Sequence, residues 1–473
     1  MTSPLPVLVM KFGGTSILGP QGMGRVAEIL APGGPSTVAV VSAMAGTTDV
    51  LLHGVRSAST GGSGLAAAAG AVRQDHLRVA GVLLGRREMD SFAAHLDYVI
   101  SGYLAKGALP TAANPAGGCS LEAAASAGEL LSAALLAAVL RERGVAAVAV
   151  DSADLLITDG HPRAALPLVA ESRERVRGRL LPLLQAGTLP VVTGFRAGTA
   201  AGEVTTLGRG GSDHSATLLG ALLPAAEVWI WTDVDGLLTA DPRLVADARL
   251  LPEVSYSEAM ELSYFGAKVL HRSAVPPAAS AAIPIRIKNT MRPQGPGTVI
   301  EGRPAGPGGV RAVTLVEEAC LMTLTASPGA GLNRLAAEVF DGFADARITT
   351  LLVTQSSAEE VVCVAIPRVE LAAARDALQR TTHLWAQDFQ DQVSVVVLVG
   401  EAMRGTAGIA GKMFGALGEQ GINVIAISQG SSELAVAAVV QRQGVGDAVR
   451  ALHRVFGLGG SDVRPDAPPQ VLR

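Results

Sequence analysis

Aromatic residues supply only 3% of this 473-residue chain, so its cores must be packed from small aliphatic side chains rather than stacked rings. Cysteine is as scarce: Cys119, Cys320 and Cys363 lie far apart, with no CxxC and no histidine pairing pattern. Neither a disulfide frame nor a zinc site is indicated. Long apolar runs are missing too. The longest, Leu130 to Leu140, is too short to span a bilayer and is flanked by Glu129 and Arg141. No basic residue precedes Lys11 and no cleavable leader pattern appears, so a cytoplasmic setting is expected. The formal net charge of −4 comes with interspersed signs, which argues against nucleic-acid and membrane-surface partners. What is present is 49% apolar content in a chain too long for one core, an α/β composition calling for two or three domains.

The stretch that organises the rest is Val7 to Ser16, VLVMKFGGTS. An apolar run reads as a buried strand and stops at Lys11, Gly13, Gly14, Thr15 and Ser16. Adjacent glycines let the backbone turn sharply and present N–H groups to an anion. The stretch fits neither G-x-x-x-x-G-K-[ST] nor G-x-G-x-x-G, and alone it reads as a simple turn. A second buried strand, Ser36 to Met44, runs into Ala45-Gly46-Thr47-Thr48-Asp49. Strands ending in small and hydroxylic residues point to a ligand edge, because open α/β sheets bind at their carboxyl ends. Residues 57–70 read as a loop entering a helix. Leu121 to Arg143 reads as a helix, and the spacing Ser126-x-x-Glu129 by itself suggests a capping box. Strands follow at 145–150, with Asp151 and Asp154 at the exit, and at 189–193, leaving into Gly194-Phe195-Arg196. Next comes Thr205 to Ala216, TTLGRGGSDHSA, in which Arg209 offers a carboxylate- or phosphate-binding fork and Ser212 and Asp213 stand where a helix begins. His214 reads as a neighbour, not a base. A strand at 228–231 exits into Thr232-Asp233-Val234-Asp235-Gly236, followed by Asp241-Pro242-Arg243 and a helical segment carrying Lys268.

KFGGTS, the VVSA strand with a threonine six residues past its serine, LGRGGSD, TDVDG…DPR and ELSYFGAKVLH stand in the order and spacing of the aspartokinases. The chain resembles that family over essentially its whole length. The resemblance implies a three-layer α/β/α amino-acid kinase domain with a mostly parallel sheet, at 1–303, that phosphorylates L-aspartate from ATP. Magnesium would be carried by the nucleotide, with no protein metal ligands. By the same resemblance Lys11 neutralises the transferring phosphoryl group and Asp213 organises Lys11. No general base is needed, since a β-carboxylate is already ionised at neutral pH. Arg209 would grip an aspartate carboxylate, Glu129 would face the ammonium, and Ser42, Thr48, Phe195 and Ser212 fall at the remaining substrate positions. Gly13 and Gly14 would offer N–H groups to the ATP phosphates beside Thr15. Thr232, Asp233, Arg243 and Lys268 fall at nucleotide positions. Leu238 and Arg272 depart from the family pattern, where several relatives carry tyrosine and proline respectively.

Past the Pro/Gly linker at 301–309 the chain reads β-α-β-β-α twice at an offset of 74 residues, pairing Phe340 with Phe414, Ile348 with Ile422, Gln355 with Gln429 and Glu359 with Glu433. This resembles the two α+β ACT (βαββαβ) domains that end aspartokinases, here 310–390 and 391–473. TQSS and SQGSSE look most like the threonine-sensitive members. Threonine is then the expected effector, through one or both of Gln355 and Gln429, with a homodimer or higher oligomer built through the ACT domains. No dinucleotide fingerprint appears before Arg473, so a stand-alone kinase is expected rather than a fusion to homoserine dehydrogenase. Three alternatives stay open: another amino-acid kinase, an inactive amino-acid sensor, and a structural subunit of a larger assembly.

Overall fold

Every residue of the second strand, Thr37–Val41, is buried, as expected of a strand covered on both faces. The computed structural model describes residues 6–32, 36–59, 63–107, 121, 124–161, 165–267, 269–302 and 309–460; Cys119 and Lys268 lie outside them. The chain divides into two compact units, Met1–Gly236 with Pro252–Tyr256 and Val269–Pro304, and Leu237–Leu251 with Ser257–Lys268 and Ala305–Arg473. Leu237–Leu251 and Ser257–Lys268 thus fall within 1–303 in sequence yet cluster with the second unit.

In chain order the first unit contains β1 (Leu8–Phe12), α1 (Gly19–Leu30), β2 (Thr37–Val41), α2 (Thr47–Ser59), α3 (Gly64–Leu83), α4 (Arg86–Gly107), α5 (Ala127–Glu142) and β3 (Ala147–Val150). It continues with β4 (Ile157–Thr158), α6 (Val169–Gln185), β5 (Leu189–Thr193), β6 (Arg196–Thr199), β7 (Val204–Thr206), α7 (Gly211–Leu222) and β8 (Glu227–Thr232). β9 (Glu253–Ser255), α8 (Val275–Ser280), β10 (Ile285–Asn289) and β11 (Thr298–Glu301) complete it. Eight strands form one sheet in the order β3-β5-β2-β1-β8-β10-β11-β9, with only β10 and β11 antiparallel. A small sheet, β4-β6-β7, stands beside it. The chain leaves β1 for β2 on one side and returns later as β8 on the other, so the sheet reverses direction at β1. Ligand crevices form at such reversals, outside the carboxyl ends of the strands. Leu30, Val79, Leu96, Leu131 and Leu135 from the helices bury Met10, Phe12 and Val41 on one face of the sheet. The helices α3 and α4 occupy Gly64–Leu83 and Arg86–Gly107, a region in which the sequence reading went no further than a loop entering a helix at 57–70.

The second unit holds one antiparallel sheet, β13-β14-β12-β15-β17-β16, from β12 (Ala312–Ala326), β13 (Leu352–Ser356), β14 (Val361–Pro367), β15 (Leu384–Val399), β16 (Val424–Gln429) and β17 (Ala435–Gln441). Its helices include α9 (Leu332–Ala346), α10 (Leu371–Leu378), α11 (Ile409–Glu419) and α12 (Val445–Val455). β14 and β17 keep the offset of 74 residues. Two cores result. Cys320, Met322 and Leu324 of β12 pack with Leu335, Val339 and Phe343, whereas Val313 of the same strand packs with Leu398, Leu417 and Leu452. The strand changes core where its register with β15 slips, between Val316 and Ala319. The second core also takes in Ala240, Val245 and Ala248. There the Thr239 hydroxyl lies 2.9 Å from the buried His453 Nε2, and the Val313 N–H donates to the Thr239 carbonyl. Among the described residues no helix is long and apolar enough to cross a membrane.

Candidate active site

Four strand exits meet at the reversal point. Lys11 sits near the end of β1, Ser42 follows β2, Phe195 follows β5, and the turn after β7 leads through Arg209 into α7. The turn is built from glycine for a steric reason. Gly208 and Gly210 sit at φ 71° and 68°, in the left-handed region that side chains avoid. A Cβ on Gly210 would also fall 2.1 Å from that of His271. Phe195 adopts φ 65°, an unusual conformation for a bulky residue, and is pinned by its N–H to Ser215 Oγ and by its carbonyl to the Leu207 N–H. The result is a cavity of about 390 Å³ lined by Lys11, Ser42, Thr48, Glu129, Phe195, Arg209, Ser212 and Asp213. Asp49 and the Ala43–Gly46 backbone also line it. The sequence reading assigned no site role to Asp49, although it closes the same small-residue run as Thr48.

Lys11 Nζ lies 2.6 Å from Asp213 Oδ1, with each side chain 12% exposed. Asp213 is in the first turn of α7, and its other oxygen accepts the His271 N–H at 3.4 Å. Glu129 is buried in the first turn of α5, where its Oε2 has no hydrogen-bond partner among the described residues. Burial pushes its carboxyl up to about 7, against the backbone N–H groups of Ala43 and Glu129 and the charge of Arg196, which pull it down. The capping box suggested by spacing is not formed: Ser126 makes no side-chain cap, and its hydroxyl instead accepts from Arg196 Nη1 at 2.6 Å. Arg209 is exposed in the cavity wall, with no carboxylate partner among the described residues. Burial and the neighbouring His271 push His214 down to about 4, so its imidazole is neutral at pH 7.

Residues 6–289 match the amino acid kinase family and residues 396–456 match an ACT domain. Lysine-sensitive aspartokinase 3 of Escherichia coli K12 is 30% identical over 459 residues, covering 94% of this chain and 98% of that protein. The chain belongs to the aspartokinases. The bifunctional aspartokinase/homoserine dehydrogenase 2 of Arabidopsis thaliana chloroplasts is 34% identical over 95% of this chain. The chain spans about half the length of the bifunctional relatives it matches. The crystal structure of E. coli aspartokinase III in complex with aspartate and ADP superposes with a TM-score of 0.81 at 29% identity, covering 95% of this chain and 100% of that one.

In this aspartokinase the described residues expected on the nucleotide side are not among those lining the cavity. The Gly13 N–H is not available to a phosphate, because it donates to the Trp231 carbonyl at 3.2 Å. The neighbouring strand β8 supplies that acceptor, which the sequence order does not reveal. Gly14 owes its identity to close packing: a Cβ there would stand 2.6 Å from the Ala43 carbonyl oxygen. Thr15 is exposed in the turn after β1. Thr232 ends β8, its hydroxyl reaching Asp233 at 3.2 Å and its carbonyl accepting from Thr290. Arg243 belongs to the second unit and forms an exposed ion pair with Asp241. Lys268 lies outside the described residues, and the helix expected to carry it ends at Tyr264. Leu238 is half-buried in the second unit, bridged to Leu250. Arg272 follows His271, whose N–H is the group that meets Asp213.

Gln355 and Gln429 occupy corresponding places on the edge strands β13 and β16, and both are exposed. Two further residues, named at strand exits, received no site role in the sequence reading. Arg196 is 5% exposed and holds Asp151 through both carboxylate oxygens at 2.8 Å. Burial alone would raise the Asp151 carboxyl, but the Arg196 fork outweighs it and holds the group below its ordinary value. The one sequence signal was an arginine and an aspartate placed at two strand exits.

Proposed function

We propose that this chain transfers the γ-phosphoryl group of ATP to the β-carboxylate of L-aspartate, giving 4-phospho-L-aspartate and ADP. One observation carries the reading: a free arginine fork, a buried carboxylate with an unpartnered oxygen, and a paired lysine line the same cavity. These three match the carboxylate, ammonium and phosphoryl charges of the reacting pair. Arg209 receives a substrate carboxylate through two parallel N–H bonds. Glu129 receives the ammonium, which repays the cost of ionising a buried acid. The β-carboxylate attacks phosphorus directly, being ionised at neutral pH. Catalysis then consists of positioning and charge stabilisation. Lys11, held by Asp213, neutralises charge on the transferring group. The amino end of α7 opens into the cavity and favours anions there. Magnesium supplies further charge neutralisation while riding on the nucleotide phosphates.

Likeness to a structure solved with aspartate and ADP supports this substrate pair. In this reading 1–303 is the catalytic domain, working in the cytoplasm, and 310–390 and 391–473 are regulatory ACT domains that also join copies of the chain. The equivalent exposed glutamines support an amino-acid effector, and threonine is the one proposed. The product is the activated acyl phosphate required to open aspartate-family or ectoine biosynthesis. Trapping with hydroxylamine tests the reaction: hydroxamate should form from L-aspartate with Mg-ATP and not from L-glutamate. Equal hydroxamate from both, or none from aspartate, would refute it.

A further inference from the structure

Arg196 is buried behind the amino-group end of the cavity rather than in its lining. Its guanidinium uses three nitrogens on two elements. Nε and Nη2 grip Asp151, at the exit of β3, both at 2.8 Å. Nη1 donates to Ser126 Oγ at 2.6 Å, at the residue that opens α5. The network is closed on its far side. Thr193 of β5 donates to Asp151 at 3.3 Å, and the Ser152 hydroxyl donates to the Arg196 carbonyl at 2.8 Å. One side chain therefore ties β3, β5 and β6 to the start of the helix that presents Glu129.

We propose that Arg196, oriented by Asp151, is a positioning residue for substrate amino-group recognition, fixing the first turn of α5 from which Glu129 is presented. This rests on the reading that Glu129 receives the aspartate ammonium. A buried carboxylate with an unpartnered oxygen can bind a cation only while it carries its charge. Burial works against that charge; the backbone N–H groups of Ala43 and Glu129, and after them the Arg196 guanidinium, work for it. The Asp151 carboxylate sets how much of that positive charge reaches Glu129. The other charged groups facing the cavity are Lys11 from β1, Asp49 from α2, Arg209 from the turn before α7 and Asp213 from α7. Lys11 and Asp213 neutralise each other as a pair. Geometry and charge are thus separable: lysine at 196 would retain the charge and lose the fork, whereas methionine would lose both.

The test is calorimetric binding of L-aspartate between pH 5.5 and 8.5 to wild type, Arg196→Lys, Arg196→Met and Asp151→Asn. Succinate, which keeps both carboxylates and lacks the amino group, is the control. Aspartate affinity of the wild type should fall on the acid side as Glu129 protonates, and succinate affinity should not follow that limb. Arg196→Met should move the limb to higher pH and weaken aspartate at pH 7 by roughly three- to tenfold more than succinate. Arg196→Lys should keep the limb in place but bind aspartate more weakly. Asp151→Asn, nearly isosteric, leaves the Arg196 charge uncompensated and should move the limb to lower pH. Should Arg196→Met fail to fold, Asp151→Asn and Arg196→Lys still decide. Limbs that stay put in every folded variant, with equal losses for aspartate and succinate, would overturn the inference while leaving the aspartate reading intact. A wild type that binds no aspartate would remove both.

Discussion

Lys11 and Asp213 meet at 2.6 Å, one on the strand that opens the fold and the other on α7. Both are largely enclosed, so each is the other's compensation: remove one and a charge is left in a low-dielectric wall. Lys11→Ala should therefore lower kcat by roughly 10²-fold or more, the scale for losing one preorganised charge donor. The measurement is steady-state kinetics on protein whose circular dichroism matches wild type. A folded variant with near-normal turnover would end the catalytic assignment.

Arg209→Ala should raise KM for aspartate by roughly ten- to a hundredfold, as expected for loss of a charge-assisted fork, and change KM for ATP far less. Arg209 has no structural partner among the described residues, so melting temperature should barely move. Comparing the two KM values decides it. A rise confined to ATP would place the arginine on the wrong substrate.

Glu129 carries a stability cost that depends on pH. Its carboxyl is pushed up to about 7 in the folded chain, above its unfolded value. The stability it contributes is therefore complete below the unfolded pKa and is lost as pH rises through about 7. Without ligand, Glu129→Gln should be more stable than wild type at pH 8.5 by roughly 1–3 kcal/mol, and by little at pH 5. It should also bind aspartate at least tenfold more weakly. Urea melts at both pH values provide the check; a gap that did not widen with pH would show that Glu129 is not buried unpaired.

Gly210→Ala should disturb the backbone of the turn before α7 rather than its charge. The left-handed backbone disfavours a side chain, and the added carbon would fall on the His271 ring. Overpacking of this kind costs typically about 1–3 kcal/mol. Because the His271 N–H also meets Asp213, activity should fall with stability. Gly144→Ala is the control, with φ 80° and nothing within 4 Å of the added carbon. It should lose stability from backbone strain alone and keep its turnover.

Threonine titration of wild type, Gln355→Ala and Gln429→Ala, read by calorimetry and by rate, tests the regulatory proposal. At least one of the two variants should bind threonine more weakly and be less inhibited, since an effector acts only through its preference for one conformation. Unchanged threonine binding in both variants would remove the two glutamines from the effector site.

Local chemistry along the chain was enough to determine the strand exits and the glycine turn before α7, and self-comparison of the chain revealed the repeat at 74 residues; which side chains would face a substrate came from the resemblance to the aspartokinases. The strand exits and the turn are local features, because backbone freedom, alternation and capping preference act over a few residues. Only the tertiary structure decided the partners. The Gly13 N–H looked available for a phosphate until β8 paired beside β1 and its Trp231 carbonyl claimed it. Ser126 and Glu129 have capping-box spacing, yet Arg196 took the serine and burial isolated the glutamate. Residues 237–251 read on from the nucleotide-side strand but pack into the second core, where Ala240, Val245 and Ala248 are covered. In each case the deciding contact joins residues far apart in sequence. Hydrogen-bond partners and burial are properties of which elements become neighbours, and spacing along one chain does not carry that information.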